Sequence, residues 1–196
     1  MSDGNSKGVS LGWEERSRET VYQGSIFNVV ESEQESSDGR RGRFLMIDSP
    51  DWVHVIGTAR DAAGVLCFIM VRQHRHAGEC VTLEFPGGLL DSHESPEEAG
   101  ARELEEETGY RPERVYSIGR TNPNPAIMTN TVHSLFAEGC RRVAEQNLDQ
   151  NEIVDLELIP VEEILRGKRA EFSAHAIMLA GLYWYTRWQD ESAADG

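Results

Sequence analysis

Three glutamates, Glu103, Glu106 and Glu107, carry the clearest chemical signal in this sequence. They stand at positions i, i+3 and i+4, so in an α-helix their carboxylates share one face. Anions near the C-terminal end of a helix are disfavoured by its macrodipole and by each other. A solvated acidic surface would explain the charge alone, whereas hard divalent cations bind such groups of carboxylate oxygens. The spacing favours a cation site.

The helix that positions these glutamates has marked ends. Ser95 is a suitable N-cap, Pro96 occupies the first helical position, and Glu98 completes an S-x-x-E capping box. Gly109 is suited to end the helix in a left-handed conformation. The sequence therefore predicts a helix over residues 95–109 with the glutamate face near its C-terminal end.

Short apolar segments before and after this helix are typical of buried strands. The predicted strands are 53–58, 65–72, 83–85, 115–120, 132–137 and 153–159, and further helices are predicted at 162–165 and 175–188. A mixed sheet flanked by helices places the chain in the α/β class. We see no internal repeat.

A β-rich element over residues 19–50 precedes the main domain, with strands at 25–33 and 43–48 joined by a polar turn. A sheet this small is not stable alone, so we expect it to pack on the main domain or on another subunit. We expect flexible tails at 1–18 and 191–196, and a catalytic domain at 51–190.

Composition excludes several classes of function. A chain of 196 residues with 39% hydrophobic content suits one domain plus an extra element, and hence one active site. The formal net charge of −15 argues against binding a nucleic-acid polymer. Three cysteines without a CxxC pair suggest neither disulfides nor zinc. No apolar run is long enough to span a bilayer, and we expect a soluble cytoplasmic protein without membrane contact.

The pattern Gly88-x5-Glu94-x7-Arg102-Glu103-Leu104-x-Glu106-Glu107-x-Gly109-Tyr110 resembles the Nudix box, GX5EX7REUXEEXGU, where U is apolar. Tyr110 is a mild departure from the usual aliphatic residue. The resemblance implies a Nudix α/β/α sandwich with a mixed sheet, preceded here by the small β-rich element.

By position in the box, Glu103, Glu106 and Glu107 are expected to bind Mg²⁺ or Mn²⁺. A backbone carbonyl of Gly87 or Gly88 would complete the site, and Glu94 and Arg102 would support it. An arginine held against carboxylates can fix their conformations through bidentate hydrogen bonds. The simpler alternative for Arg102 is an i,i+4 surface pair with Glu98 or Glu106.

Other segments resemble the ADP-ribose and nucleotide-sugar branch of this family. They are Arg72-Gln73-His74-Arg75, Leu83-Glu84-Phe85-Pro86-Gly87-Gly88, and Pro125, which lies sixteen residues after Gly109. Phe85 and Gly87 depart from the branch pattern, and the Phe-Pro-Gly-Gly run is shared with coenzyme A hydrolases. The resemblance implies a homodimer.

Several residues are candidates for contacts with a substrate. Arg72 and Arg75 could clamp a diphosphate, because a planar guanidinium matches its oxygens. Trp13, Phe27 or Trp52 could stack on the base, although each aromatic residue also suits a core or an interface.

A general base is the least defined part of the site. It is sought in a loop before the last strand, where Glu152 is preferred over Asp149; Glu138 or a box glutamate could serve instead.

The sequence thus predicts a metal-dependent pyrophosphohydrolase that cuts ADP-ribose or a nucleotide sugar into a nucleoside monophosphate and a sugar phosphate. Its partner would be a small nucleotide. The alternatives are a Nudix-fold sensor that binds nucleotides without cleaving them, or an enzyme acting on coenzyme A or dinucleoside polyphosphates.

Overall fold

A computed structural model of the chain describes residues 11–148, 150 and 152–194. Within these residues the chain forms two compact units. One extends to residue 49 and also takes in residues 124–129. The other comprises residues 50–123 and continues from residue 130 onward. The segment 124–129, which includes Pro125, thus belongs with the N-terminal unit, although the sequence suggested that it was part of the catalytic domain.

The first unit is a three-stranded antiparallel sheet in the order β1-β2-β3. Its strands are β1 (Trp13–Gln23), β2 (Asn28–Ser36) and β3 (Arg41–Asp48). The central strand supplies the buried Val30, and the rings of Trp13 and Phe44 meet edge to face with centroids 5.4 Å apart. Residues 124–129 join this sheet at Ile47, whose N–H donates to the Ile127 carbonyl at 2.7 Å.

Strand β1 lies partly inside the segment that the sequence assigned to a flexible tail. The tail prediction is therefore wrong for residues 13–18; residues 1–10 lie outside the described part of the chain. Every residue of β1 is exposed, and its charged side chains hide the alternation by which strands are recognised. The hydrogen bonds of β1 to β2 define the strand instead.

The second unit contains a six-stranded mixed sheet. Its strands are β4 (Trp52–Arg60), β5 (Leu66–Arg75), β6 (Cys80–Glu84), β8 (Arg114–Thr121), β9 (Val132–Glu138) and β11 (Val154–Pro160). The strand order is β11-β5-β4-β9-β8, with β6 paired to β5. Within this sheet the β4–β9 pairing is parallel and the other pairings are antiparallel. Two short strands, β7 (Tyr110–Arg111) and β10 (Arg141–Arg142), form a separate pair.

Helices cover both faces of this sheet, because each face carries its own apolar cluster. On one face α1 (Pro96–Thr108) packs Leu104 against Val55 and Leu135. On the other, Phe172 and Tyr185 pack on Phe68 and Phe85. They belong to α3 (Ala170–Ser173) and α4 (Ala176–Ala194), which follow α2 (Val161–Leu165). The predicted three-layer α/β/α architecture is confirmed.

The helix ends differ from the sequence prediction mainly at the C-terminus. Helix α4 continues to Ala194, so the tail expected from residue 191 is helical over its first four residues. The short helix α3 was not predicted. No helix in the described part of the chain is long and apolar enough to cross a membrane.

Candidate active site

Helix α1 presents the glutamates as its sequence predicts. The Ser95 hydroxyl accepts a hydrogen bond from the Glu98 N–H at 3.3 Å, and the Ser95 N–H donates to the Glu98 carboxylate at 2.8 Å. Gly109 ends the helix with a φ of 74°. Both ends are thus fixed by contacts within a few residues, and this fixes the face on which Glu103, Glu106 and Glu107 stand.

Arg102 connects three carboxylate side chains at this end of the fold. Its guanidinium donates to both carboxylate oxygens of Glu94, at 2.7 and 3.2 Å. It also donates to Glu103 at 2.9 Å and to Glu106 at 3.1 Å. The hydrogen bonds from Arg102 hold the pKa of Glu94 below its ordinary value. The expected bidentate contact is therefore present with Glu94, together with the i,i+4 contact to Glu106.

Glu107 points into the protein and is only 5% exposed. One of its carboxylate oxygens accepts a hydrogen bond from the Gly87 N–H at 3.0 Å. Burial, reinforced by the negative charge of Glu103, raises the pKa of Glu107 to about 8. Burial also raises the pKa of Glu103, although Arg102 acts against the shift. The positive charge that the surrounding side chains supply does not offset the burial of either carboxylate.

The glycine segment before α1 runs beside β4 and approaches the glutamates closely. Val53 and Gly88 exchange two backbone hydrogen bonds, at 2.9 and 3.1 Å. Because alternate residues of an antiparallel pair bond in opposite directions, the N–H of Gly87 is not taken up by β4, and it donates to Glu107 instead. A Cβ atom on Gly88 would overlap the Glu103 carboxylate. A side chain at residue 88 would therefore require the Glu103 carboxylate to move away from the backbone.

These donors fit a hard divalent cation by their chemistry. Glu103 and Glu107 are oxygen donors held beside each other at a cost in charge repulsion that a cation would relieve. Among the described side chains, no three carboxylate, imidazole or thiol groups already converge as a cage. Arg102 lies between Glu103 and Glu106, and these side chains must adjust when a cation binds.

The two candidate diphosphate arginines have different surroundings. Arg75 donates to both oxygens of Glu84, at 2.7 and 2.5 Å. The negative charges of Glu107 and Glu152 also help to raise the pKa of Arg75. Arg72 instead donates to Glu157 of β11 and, at 2.9 Å, to Glu171 of α3.

The sequence interpretation did not single out Glu84 as a functional residue, although it stands in the Glu-Phe-Pro-Gly-Gly run. It is 2% exposed. Burial acts to raise its pKa, but the hydrogen bond and charge of Arg75 outweigh that effect and lower it. A buried carboxylate so close to Arg75 indicates a residue that orients the guanidinium.

Of the candidate bases, Glu152 has a charge that acts on two glutamates of the box, Glu103 and Glu107. Its negative charge contributes to the raised pKa of both Glu103 and Glu107, after the larger effect of burial. Glu138 ends β9 and accepts a hydrogen bond from the Tyr116 hydroxyl at 3.0 Å. Asp149 lies outside the described residues.

The candidate aromatic residues are divided between the two units. Trp52 begins β4, and its N–H donates to the Thr131 carbonyl at 2.9 Å. Phe27 belongs to the first unit and is 37% exposed. Trp13 lies in the same unit, against Phe44. Which aromatic residue meets a base is therefore left as a prediction.

Comparison with known proteins agrees with this geometry. The NUDIX domain family matches residues 50–180, which include the whole of α1 and the glycine segment before it. The chain belongs to the Nudix family. The expected Nudix pyrophosphohydrolase is thereby confirmed.

Two similar relatives are pyrophosphatases. An ADP-ribose pyrophosphatase of Bacillus subtilis is 28% identical over 76% of this chain and 79% of its own length. An ADP-sugar pyrophosphatase of Mus musculus is 39% identical over 43% of this chain and 39% of its own length. A crystal structure of an ADP compounds hydrolase has a similar fold, with a TM-score of 0.79, 21% identity and coverage of 94% of this chain and 97% of that one.

Proposed function

We propose that this Nudix enzyme hydrolyses ADP-ribose or a nucleotide sugar, with Mg²⁺ or Mn²⁺ bound at Glu103, Glu106 and Glu107. The observation that carries the proposal is the meeting of the buried Glu107 and the partly buried Glu103, two like-charged carboxylates, with the backbone of Gly87 and Gly88. Similarity to ADP-ribose and ADP-sugar pyrophosphatases supports the substrate class. Products would be a nucleoside monophosphate and a sugar phosphate.

The box residues would hold the cation and keep it in place. Glu103, Glu106 and Glu107 would supply carboxylate oxygens. The carbonyl of Gly87 is preferred as a further ligand, because that of Gly88 already accepts a hydrogen bond from the Val53 N–H. Glu94 and Arg102 would set the conformations of the ligands from outside. A bound cation would neutralise the diphosphate and polarise its phosphorus–oxygen bonds.

The reaction exchanges one phosphorus–oxygen bond for another. The oxygen of a water molecule bonds to one phosphorus atom of the diphosphate as the bond from that phosphorus to the bridging oxygen breaks. The water loses a proton, and Glu152 would accept it, since its charge already acts on Glu103 and Glu107. Arg75 would bind the departing phosphate, whose growing charge it can stabilise.

The two arginines would then have separate roles. Arg75 would contact the diphosphate, because Glu84 orients the Arg75 guanidinium and the charge of Glu107 acts on this guanidinium. Arg72 would hold α3 and β11 to β5, because both of its partners are carboxylates of those elements. Both arginines belong to the sequence motif, but only Arg75 would bind the substrate.

A homodimer is proposed for the β-rich unit. Every residue of β1 is exposed, among them Val21 and Tyr22, and so is Leu45 of β3. Apolar residues on a small sheet are typical of a surface that a second subunit covers.

A panel of substrates tests the proposed activity. The purified protein with Mg²⁺ is given ADP-ribose, nucleotide sugars, NADH, coenzyme A and dinucleoside polyphosphates, and the products are identified. We expect ADP-ribose or a nucleotide sugar to have the highest kcat/KM. Preference for coenzyme A or a dinucleoside polyphosphate would overturn the substrate class, and Glu107→Gln serves as the control for contaminating activity.

A further inference from the structure

The C-terminal end of α1 is closed by residues 143–147, which we call the capping segment. The N–H of Asn147 donates to the Glu106 carbonyl at 2.8 Å, and the N–H of Val143 donates to the Gly109 carbonyl at 2.9 Å. The last carbonyls of a helix have no partner within the helix. The capping segment supplies these partners at the end that carries the proposed metal ligands.

Gly109 makes room for this segment. A Cβ atom at residue 109 would overlap the carbonyl oxygen of Ala144, and the φ of 74° is one that other residues rarely adopt. The last glycine of the box therefore both ends the helix and lets the capping segment lie directly on it.

Gln146 adds a side-chain link to these backbone contacts. Its amide nitrogen donates to the Glu107 carbonyl at 2.6 Å and to the Val154 carbonyl at 3.2 Å. An amide NH₂ group has two hydrogens, and this arrangement uses both. Glu107 lies on the metal-site helix, and Val154 begins β11 two residues after Glu152. One side chain thus connects the backbone on both sides of the proposed site.

We propose that Gln146 is a positioning residue that holds the Glu152 segment in place against the metal-site helix. The inference rests on the proposed role of Glu152 as proton acceptor. Gln146 touches no reacting atom; it fixes how far the start of β11 lies from the end of α1. A glutamate at residue 146 has the same shape but no donor hydrogens, so it would set a carboxylate oxygen against two carbonyl oxygens.

The expected effect is on turnover more than on substrate binding. A displacement of about 1 Å in a catalytic geometry can cost about 100-fold in rate. Because the backbone contacts of the capping segment remain, we expect Gln146→Ala and Gln146→Glu to lower kcat by about 10-fold. Arg75 does not contact this amide, so KM should change by less than about 3-fold.

The test is a double-mutant cycle with Glu152→Gln, with kcat and KM for ADP-ribose measured at saturating Mg²⁺. If Gln146 acts through Glu152, then Gln146→Ala should cost less than about 2-fold in the Glu152→Gln background. Hydrogen exchange gives a second readout, since the peptide that contains the start of β11 should exchange faster in Gln146→Ala.

Two matched variants separate positioning from general loss of stability. Thr186→Ala removes a side-chain hydrogen bond to a backbone carbonyl in α4, and Glu145→Gln changes an exposed neighbour in the capping segment. Both should keep kcat within about 2-fold of the wild type. If Thr186→Ala lowers kcat as much as Gln146→Ala, the effect is general destabilisation and the proposal is overturned.

The remaining outcomes distinguish this inference from the proposed function. Wild-type kcat in Gln146→Ala, together with an impaired Glu152→Gln, would remove the role of Gln146 and leave that of Glu152. If Gln146→Ala lowers kcat as much in the Glu152→Gln background as in the wild type, Gln146 does not act through Glu152 and the inference is overturned. Wild-type kcat in Glu152→Gln would overturn both assignments.

Discussion

Replacing Glu107 with glutamine should make the metal-free protein more stable, and increasingly so as the pH rises. The folded-state pKa of Glu107 is about 8, against an ordinary value of 4.5. Between these two values the folded chain retains a proton that the unfolded chain has lost. Raising the pH through this window therefore destabilises the folded wild type, and glutamine cannot ionise.

The magnitude follows from the difference in pKa. The shift is 8 − 4.5 = 3.5 units. At about 1.36 kcal/mol per unit, the limiting effect is about 5 kcal/mol. With the same two pKa values, Glu107→Gln should raise the free energy of unfolding by about 1 kcal/mol at pH 5 and by about 4 kcal/mol at pH 8. The Gly87 N–H keeps an acceptor, because glutamine retains one oxygen.

The assay is urea unfolding of both proteins in EDTA, followed by circular dichroism from pH 5 to pH 8. Glu105→Gln is the control on the same helix, because its hydrogen bond with Arg111 lowers the pKa of Glu105. A lowered pKa gives stability that is present above 4.5 and lost as the pH falls, so this variant should be less stable than the wild type at pH 8. If Glu107→Gln and the wild type differ in free energy of unfolding by the same amount from pH 5 to pH 8, the reasoning is refuted.

Adding Mg²⁺ should narrow the difference in stability at pH 8 and reverse it near pH 5, where the advantage of Glu107→Gln is only about 1 kcal/mol. A cation that binds only the folded wild type adds about 2.7 kcal/mol at 100 times its Kd, and Glu107→Gln should gain less. The variant should also lose about 100-fold or more in kcat, since a proposed ligand has been removed. Wild-type turnover together with wild-type metal binding would contradict the assignment of Glu107 as a ligand.

Three further predictions concern the base, the arginines and the oligomer. Glu152→Gln should lower kcat by about 100-fold with little change in KM, and the acid limb of the pH–rate profile should disappear; if the limb and the activity persist, Glu152 is not the base. Arg75→Ala should lower kcat/KM by about 100-fold, whereas Arg72→Ala should lower the melting temperature with a smaller kinetic effect; the opposite ranking would reverse their proposed roles. Light scattering at micromolar concentration should show a dimer, and a monomer would contradict the proposed role of the β-rich unit.

The sequence by itself determined the parts of the site that depend on neighbours in the chain. The capping box at Ser95, the stop at Gly109 and the spacing of the glutamates all act within a few residues, so the helix and its acidic face could be predicted. The apolar strands were predicted as well, because burial on a sheet selects apolar residues. Strand β1 was missed, since its side chains are exposed and only its pairing with β2 defines it.

Only the tertiary structure decided which distant residues meet at the site. Arg72 and Arg75 belong to one motif, but strand direction and pairing place them beside different partners. Arg72 binds Glu157, and Arg75 binds the buried Glu84. The same holds for Gln146, whose two carbonyl partners lie on α1 and β11. Such contacts depend on how strands and helices pack, and side chains far apart in sequence carry no local signal of the partner they will find.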